Sequence, residues 1–269
     1  MRRNLGITAA CLPGIAELDA LPFIKAAGFD MVFAETSDPD TICRIKEKCD
    51  QLGLSLDFVH SPWRGVNDFW LPGDAYLPLW KGIQDSIIGC ERAGVPVAVC
   101  HVSSGWFPPP ICDVGLARFD ELVNFASEHG VTIAFENLRK FGVLAAILER
   151  YEQNPKVGFC YDCGHEHCYT GSVHYTDLYG DRLLCTHLHD NHGRDPKDIW
   201  ADGDEHLMPF DGNIDYGDMM ERIHKTPYKG ALTLELVNEY QYRTLSASEF
   251  LKIAYERVCR IAALEPNFS

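Results

Sequence analysis

The chain has 269 residues, 46% of them hydrophobic and 23% charged, with a formal net charge of -15. That length and composition suit one large domain with a substantial core, and the charge repels nucleic acid and anionic membranes. No run of about 18 apolar residues exists to span a bilayer, and Met1 leads straight into a strand-like run without the features of a signal peptide, so a cytoplasmic protein is expected.

Strand-like apolar runs alternate with helical patterns eight times. In chain order the pairs are 5–8 with 15–27, 31–34 with 41–52, 55–60 with 77–93, and 97–101 with 116–128. They continue as 132–136 with 143–154, 158–162 with a short helix at 173–179, 183–187 with 216–224, and 232–236 with 247–263. Gly28, Gly53, Gly94 and Gly130 stand where a helix hands over to a strand. Eight βα units with nearly continuous apolar strands predict an α/β fold, a closed (β/α)8 barrel forming a single domain over 1–269. A doubly wound open sheet is the competing architecture, but no G-x-G-x-x-G follows the first strand.

Three connections are long, at 61–76, 103–113 and 189–215. All follow strands, so a barrel places them on its C-terminal face, where barrel enzymes build their sites. Trp63, Trp70 and Trp106 in these loops are expected to wall a substrate pocket, against the plainer reading of loop packing. The eleven cysteines, an odd number spread from Cys11 to Cys259, argue against a disulfide framework and read as small buried residues. Cys160 and Cys163 form a C-x-x-C on a strand, which is the wrong setting for a redox pair.

The strand ends carry the chemistry. Glu35, His60, His101, Glu136, Asp162 with His165, His187 with His189, and Glu235 fall at or just beyond successive C-terminal ends. One such histidine alone reads as a hydrogen-bonded rim residue. Buried carboxylates without partners are costly, and few basic residues lie in these runs, so the joint pattern points to a divalent cation.

Phe135-Glu136-Asn137, Asp162-Cys163-Gly164-His165, His187-Leu188-His189-Asp190, Asp204-Glu205-His206 followed by Gly212-Asn213-Ile214, and Leu234-Glu235 resemble the xylose isomerase-like TIM barrels. The resemblance covers essentially the whole chain. It implies a shared metal on Glu136, Asp162, His187 and Glu235, with Glu136 and Glu235 also acting as the acid/base pair. His187 is preferred to His189 because the family's ligand precedes an acidic residue by three positions, as His187 precedes Asp190; His189 then falls near the substrate. An endonuclease IV-like pattern adds His60, His101, His165, Asp204 and His206 as further metal or substrate residues. The activity implied is a metal-dependent isomerase or epimerase of a sugar or sugar phosphate, acting through an enediolate. The alternatives are an apurinic-site phosphodiesterase with three zinc ions and an inosose-type dehydratase. One to three ions of Zn, Mn, Co or Mg suit the donors. The expected partner is a small carbohydrate, with no membrane or nucleic acid, and such barrels often pair into homo-oligomers.

Overall fold

The computed structural model describes residues 3–266; the first two and last three positions of the single domain expected over 1–269 lie outside them. Eight strands form one parallel sheet: β1 (Leu5–Thr8), β2 (Met31–Ala34), β3 (Ser55–His60), β4 (Val97–Cys100), β5 (Thr132–Glu136), β6 (Val157–Asp162), β7 (Leu183–His187) and β8 (Leu232–Leu234). Their spatial order is β7-β6-β5-β4-β3-β2-β1-β8. A parallel bridge between Leu188 and Leu234 brings the two ends of the sheet together. At this seam Leu188 N–H donates to Thr233 O at 2.8 Å and Glu235 N–H to Leu188 O at 3.1 Å. Thr186 Oγ1 enters the ladder itself, donating to Ala231 O and accepting from Thr233 N–H. The expected barrel is what forms.

Strand ends differ from the expectation by a residue or two. β4 stops at Cys100 and β8 at Leu234, so His101 and Glu235 stand just past the last paired residue, on the rim. Helix starts move earlier where local chemistry favours it. The second helix begins at Pro39 rather than 41, because Asp38 accepts from Thr41 N–H at 2.8 Å and Pro39 occupies the first turn. It ends at Gly53, whose φ of 66° is the left-handed cap geometry. The last helix (Ala247–Ala262) opens with a capping box between Ser246 and Glu249.

One core lies between the sheet and its helices. A second fills the barrel and includes Met31, Phe33, Phe58, Val99, Cys160 and Cys185. Phe33 and Phe58 stack at 4.7 Å, and His187 lies on Phe33 at 5.0 Å, so the site rests on an aromatic plug. Trp70 does not wall a pocket as expected. It is buried in the outer core, its Nε1–H donating to Val102 O at 2.8 Å. Gly115 makes that fit, since a Cβ there would lie 2.0 Å from the indole. All eleven cysteines are free. No helix among the described residues is long and apolar enough to cross a membrane.

Candidate metal centre

Glu136, at the end of β5, is the hub. Its side chain is 1% exposed, and imidazoles face both of its oxygens. Oε2 lies 3.1 Å from His60 Nε2 and 3.0 Å from His101 Nε2. Oε1 lies 3.1 Å from His165 Nδ1 and 3.6 Å from His187 Nδ1. His187 Nδ1 is also 3.5 Å from Glu235 Oε2. A second carboxylate, Asp204, places Oδ2 3.1 Å from His165 Nε2 and 3.2 Å from His206 Nε2.

The donors fall into overlapping sets. His60, His101 and Glu136 form the first, with donor atoms all within 4.8 Å of one another. Glu136, Asp162, His187 and Glu235 form the central set, within the same limit. His165 and His206 both meet Asp204 Oδ2 and form an outer set with it.

The ring nitrogens fit a cation. His60 Nδ1–H donates to Ser61 O at 2.9 Å, His165 Nδ1–H to Asn137 O at 2.9 Å, and His206 Nδ1–H to Glu235 O at 3.0 Å. Each of these bonds fixes the tautomer and leaves a lone pair on Nε2 facing a carboxylate. Backbone carbonyls that accept from the other ring nitrogen orient metal-binding imidazoles in this way. His187 is fully buried, yet neither of its ring nitrogens has a hydrogen-bond partner. Donors converging at 3.0–3.6 Å match the ligand edges of a coordination sphere with bonds of about 2.0–2.2 Å.

Without a cation, shared protons hold these imidazoles and carboxylates together. Burial pulls the His187 imidazole down, but Glu235 and Glu136 outweigh it and push it up to about 10. Burial is likewise outweighed at His206, where Asp204 pushes the ring up to about 10. Burial raises the Glu136 and Asp204 carboxyls, yet His101 and His187 at the first and His165 and His206 at the second hold them well below the usual range. Glu235 differs: burial dominates and its carboxyl is raised. Raised imidazoles stabilise the fold fully below their ordinary 6.5, and that stability is lost as pH climbs toward 10. Depressed carboxyls stabilise it above their ordinary 3.8–4.5 and lose that only as pH falls through their lower folded values. Chelated protein is therefore expected to melt highest near pH 5–6 and progressively lower from pH 6.5 to 10. Zinc should restore most at the alkaline end, where it no longer competes with protons. Calorimetry across that range with and without chelator checks this; a chelated melting curve flat to pH 10 would contradict it.

Local structure delivers these side chains. Asn137 clamps β5 to β6 by donating from Nδ2 to Asp162 O and accepting from Asp162 N–H on Oδ1, both at 2.8 Å. Asp162 caps the turn Cys163–His165, accepting from His165 N–H at 2.6 Å. Asp190 pins the long loop at 189–215 by accepting from Asn191, Phe210 and Ile214 N–H. A bridge from Asp190 to Leu207 then returns Asp204 and His206 to the site. Sequence reasoning quoted Asn137 and Asp190 within motifs without giving either this structural role.

A cavity of about 660 Å³ opens over the first and outer sets. His60, His101, Glu136, His165, Asp204, His206 and Glu235 line it, with Glu35, Trp63, Arg64, Arg139 and Tyr240. Trp63 stacks on His101 at 5.3 Å. Trp106 lies beside the cavity instead, donating from Nε1 to Trp200 O and packing edge-on against Tyr169 and Trp200. His189 does not reach the cavity as a substrate contact; it is buried beneath, 3.1 Å from both oxygens of Asp162. Glu136 lines the cavity with a side chain only 1% exposed, whereas the Glu235 side chain is 17% exposed.

Residues 21–254 match the family model described as xylose isomerase-like TIM barrel. An uncharacterized protein of Sinorhizobium fredii is 33% identical over 151 residues, 53% of this chain and 45% of its own length. An uncharacterized protein of Methanocaldococcus jannaschii is 25% identical over 246 residues, 84% and 80% of the two chains. A probable endonuclease 4 of Geotalea daltonii is 27% identical over 179 residues, 58% and 61% of the two. Among solved structures, the IOLI protein with a binding zinc atom superposes with a TM-score of 0.77 at 15% identity, covering 98% of this chain and all 100% of that one. D-allulose 3-epimerase from Methylomonas sp., in complex with D-allulose, superposes at 0.72 and 17%, covering 96% and 97%. These two likenesses are of fold.

Proposed function

Because the chain belongs to the xylose isomerase-like TIM barrel family, we propose that it is a multinuclear metal-dependent enzyme that hydrolyses small phosphate esters. The observation that carries this reading is Glu136, whose Oε2 meets His60 and His101 while its Oε1 faces His187 of the central set, as a carboxylate shared between two ions would. His60 and His101 would hold one ion with Glu136. Asp162, His187 and Glu235 would complete a second, and His165, Asp204 and His206 a third. Divalent ions so held would supply Lewis acidity and lower the pKa of water, and paired ions suit in-line displacement at phosphorus.

The chain's own residues supply the rest. Arg64 lines the cavity with no carboxylate partner among the described residues, its guanidinium 5.3 Å from the Trp63 ring centroid. It would bind a phosphoryl oxygen. Arg139 also lines the cavity but is held by Asp202 at 2.7 Å. Glu235, on the cavity wall and partly exposed, would take the proton of the attacking water. The cavity volume supports a small substrate, and the net charge of -15 argues against duplex DNA.

A second reading is a metal-dependent sugar isomerase or epimerase, favoured by the same cavity-facing Glu235 as proton carrier. Glu136 is too engaged to serve the opposite face, so isomerisation on one face fits better than epimerisation. The test counts zinc and manganese per chain by elemental analysis. It then assays phosphate mono- and diesters beside solvent-deuterium exchange into ketoses. More than one ion and chelator-sensitive phosphate release are expected. One ion, deuterium exchange and inert esters would replace the first reading with the second.

A further inference from the structure

His189 is buried at the junction of the central and outer sets and outside the cavity. Its Nε2 is equidistant from the two Asp162 oxygens, at 3.1 Å each, and 3.6 Å from Asp204 Oδ1. Its ring lies flat on His206, with centroids 4.0 Å apart and planes 11° from parallel. Its backbone is fixed as well: Tyr216 Oη–H donates to His189 O at 3.0 Å, and Cys163 Sγ approaches the same oxygen. Gly164 supplies the space, since a Cβ there would lie 1.9 Å from His189 Cε1 and 2.5 Å from Nδ1.

Proton placement follows from these contacts. Nδ1 is buried without a partner. A proton on Nδ1 would leave an orphaned buried donor and turn the Nε2 lone pair onto two anionic oxygens. A proton on Nε2 satisfies the donor and binds the carboxylate, and an unpaired acceptor is the lesser cost. Asp162 Oδ1 already accepts His165 N–H at 2.6 Å. Together the two donors fix the plane of the carboxylate, which still offers the central set an oxygen within 4.8 Å of donor atoms on Glu136, His187 and Glu235.

We propose that His189 is a positioning residue whose Nε2–H aims Asp162 into the central set and, through its stack on His206, ties the central set to the outer one. The two sets then fill with metal together. This rests on the metal reading above. It makes His189 a donor to a ligand, where the His189, His206 and Glu235 cluster by itself would suit a ligand role.

The test uses the full chain and zinc alone. His189→Ala is expected to weaken zinc binding 10- to 100-fold, the usual cost of losing an outer partner, and to split one cooperative isotherm into separate phases. His189→Gln, which returns an amide donor near the Nε2 position, is expected to recover most of that loss. Long-range 1H–15N spectra of the wild-type imidazoles should show His189 protonated on Nε2, with and without zinc. An alanine variant that binds zinc as the wild type does, a glutamine variant no better than alanine, or a proton on Nδ1 would each overturn the proposal. Wild-type protein that binds no zinc but keeps the Nε2–H form would remove the metal reading while leaving the anchoring of Asp162 in place.

Discussion

Glu136→Gln is expected to lower turnover by at least about 1,000-fold, roughly 4 kcal/mol of barrier, and to leave fewer ions on each chain. The amide keeps the volume and the place at the end of β5. It offers one oxygen where two are used, and its NH2 must face either His60 and His101 or His165 and His187. Whichever way it turns, one donor set loses its anionic ligand and gains a group that donates. Elemental analysis of the purified variant, beside phosphate-ester turnover, checks this. Full metal content with near wild-type turnover would show that Glu136 is not a shared ligand.

The second large effect is on stability and lies away from the candidate metal centre. Arg118 projects from the helix Asp113–Glu128 into the loop after β3. Its Nη1 donates to Asp68 O at 2.8 Å, Phe69 O at 3.0 Å and Leu71 O at 2.6 Å, and its Nη2 donates to Gly73 O at 2.6 Å. The guanidinium also lies 3.7 Å over the Tyr76 ring. Arg118→Ala would strand these carbonyls and is expected to cost on the order of 3–5 kcal/mol in urea unfolding. Arg118→Lys should recover little, because one ammonium cannot span the same fork of acceptors. The loop it holds also joins the β4 loop, through Asn67 Nδ2 to Ser104 O and Ser104 N–H to Asn67 Oδ1. Loosening it should disturb His60 and His101, so the variant should also bind the first ion less tightly. A variant as stable as the wild type would refute the clamp.

The barrel was legible because its signals are local and repeated. Four of the apolar runs follow a glycine at a helix end, and a parallel closed sheet then dictates which strand ends share a face. That was enough to bring His60, His101, Glu136, Asp162, His187 and Glu235 to one rim. Other features turn on information that pattern reading does not hold. Trp70 and Trp63 occupy the same loop seven residues apart, yet one is core and the other faces the cavity. What separates them is the gap left by Gly115 on a distant helix. Asp204 and His206 sit in a loop without periodicity, and only the resemblance named them. Their placement depends on Asp190, whose carboxylate organises backbone 20 or more residues away in Phe210 and Ile214. The period-two rule put His187 and His189 on one side, yet they meet different carboxylates: His187 faces Glu136 and Glu235, and His189 faces Asp162 and Asp204. It could not say that one would lie on the plug beneath Glu136 and the other under the cavity.

The contact between Gly164 and His189 also constrains descent. Because any side chain at position 164 would overlap the imidazole at 189, neither position can drift alone. A lineage that gains bulk at the first must pass through, or arrive with, a smaller residue at the second. Aligned descendants should therefore fall into two groups, glycine with histidine or a larger residue with a shorter one, and mixed pairings should be rare. Sorting relatives by this pair would separate chains that brace their second acidic ligand from behind with an imidazole from chains that solve the same problem another way.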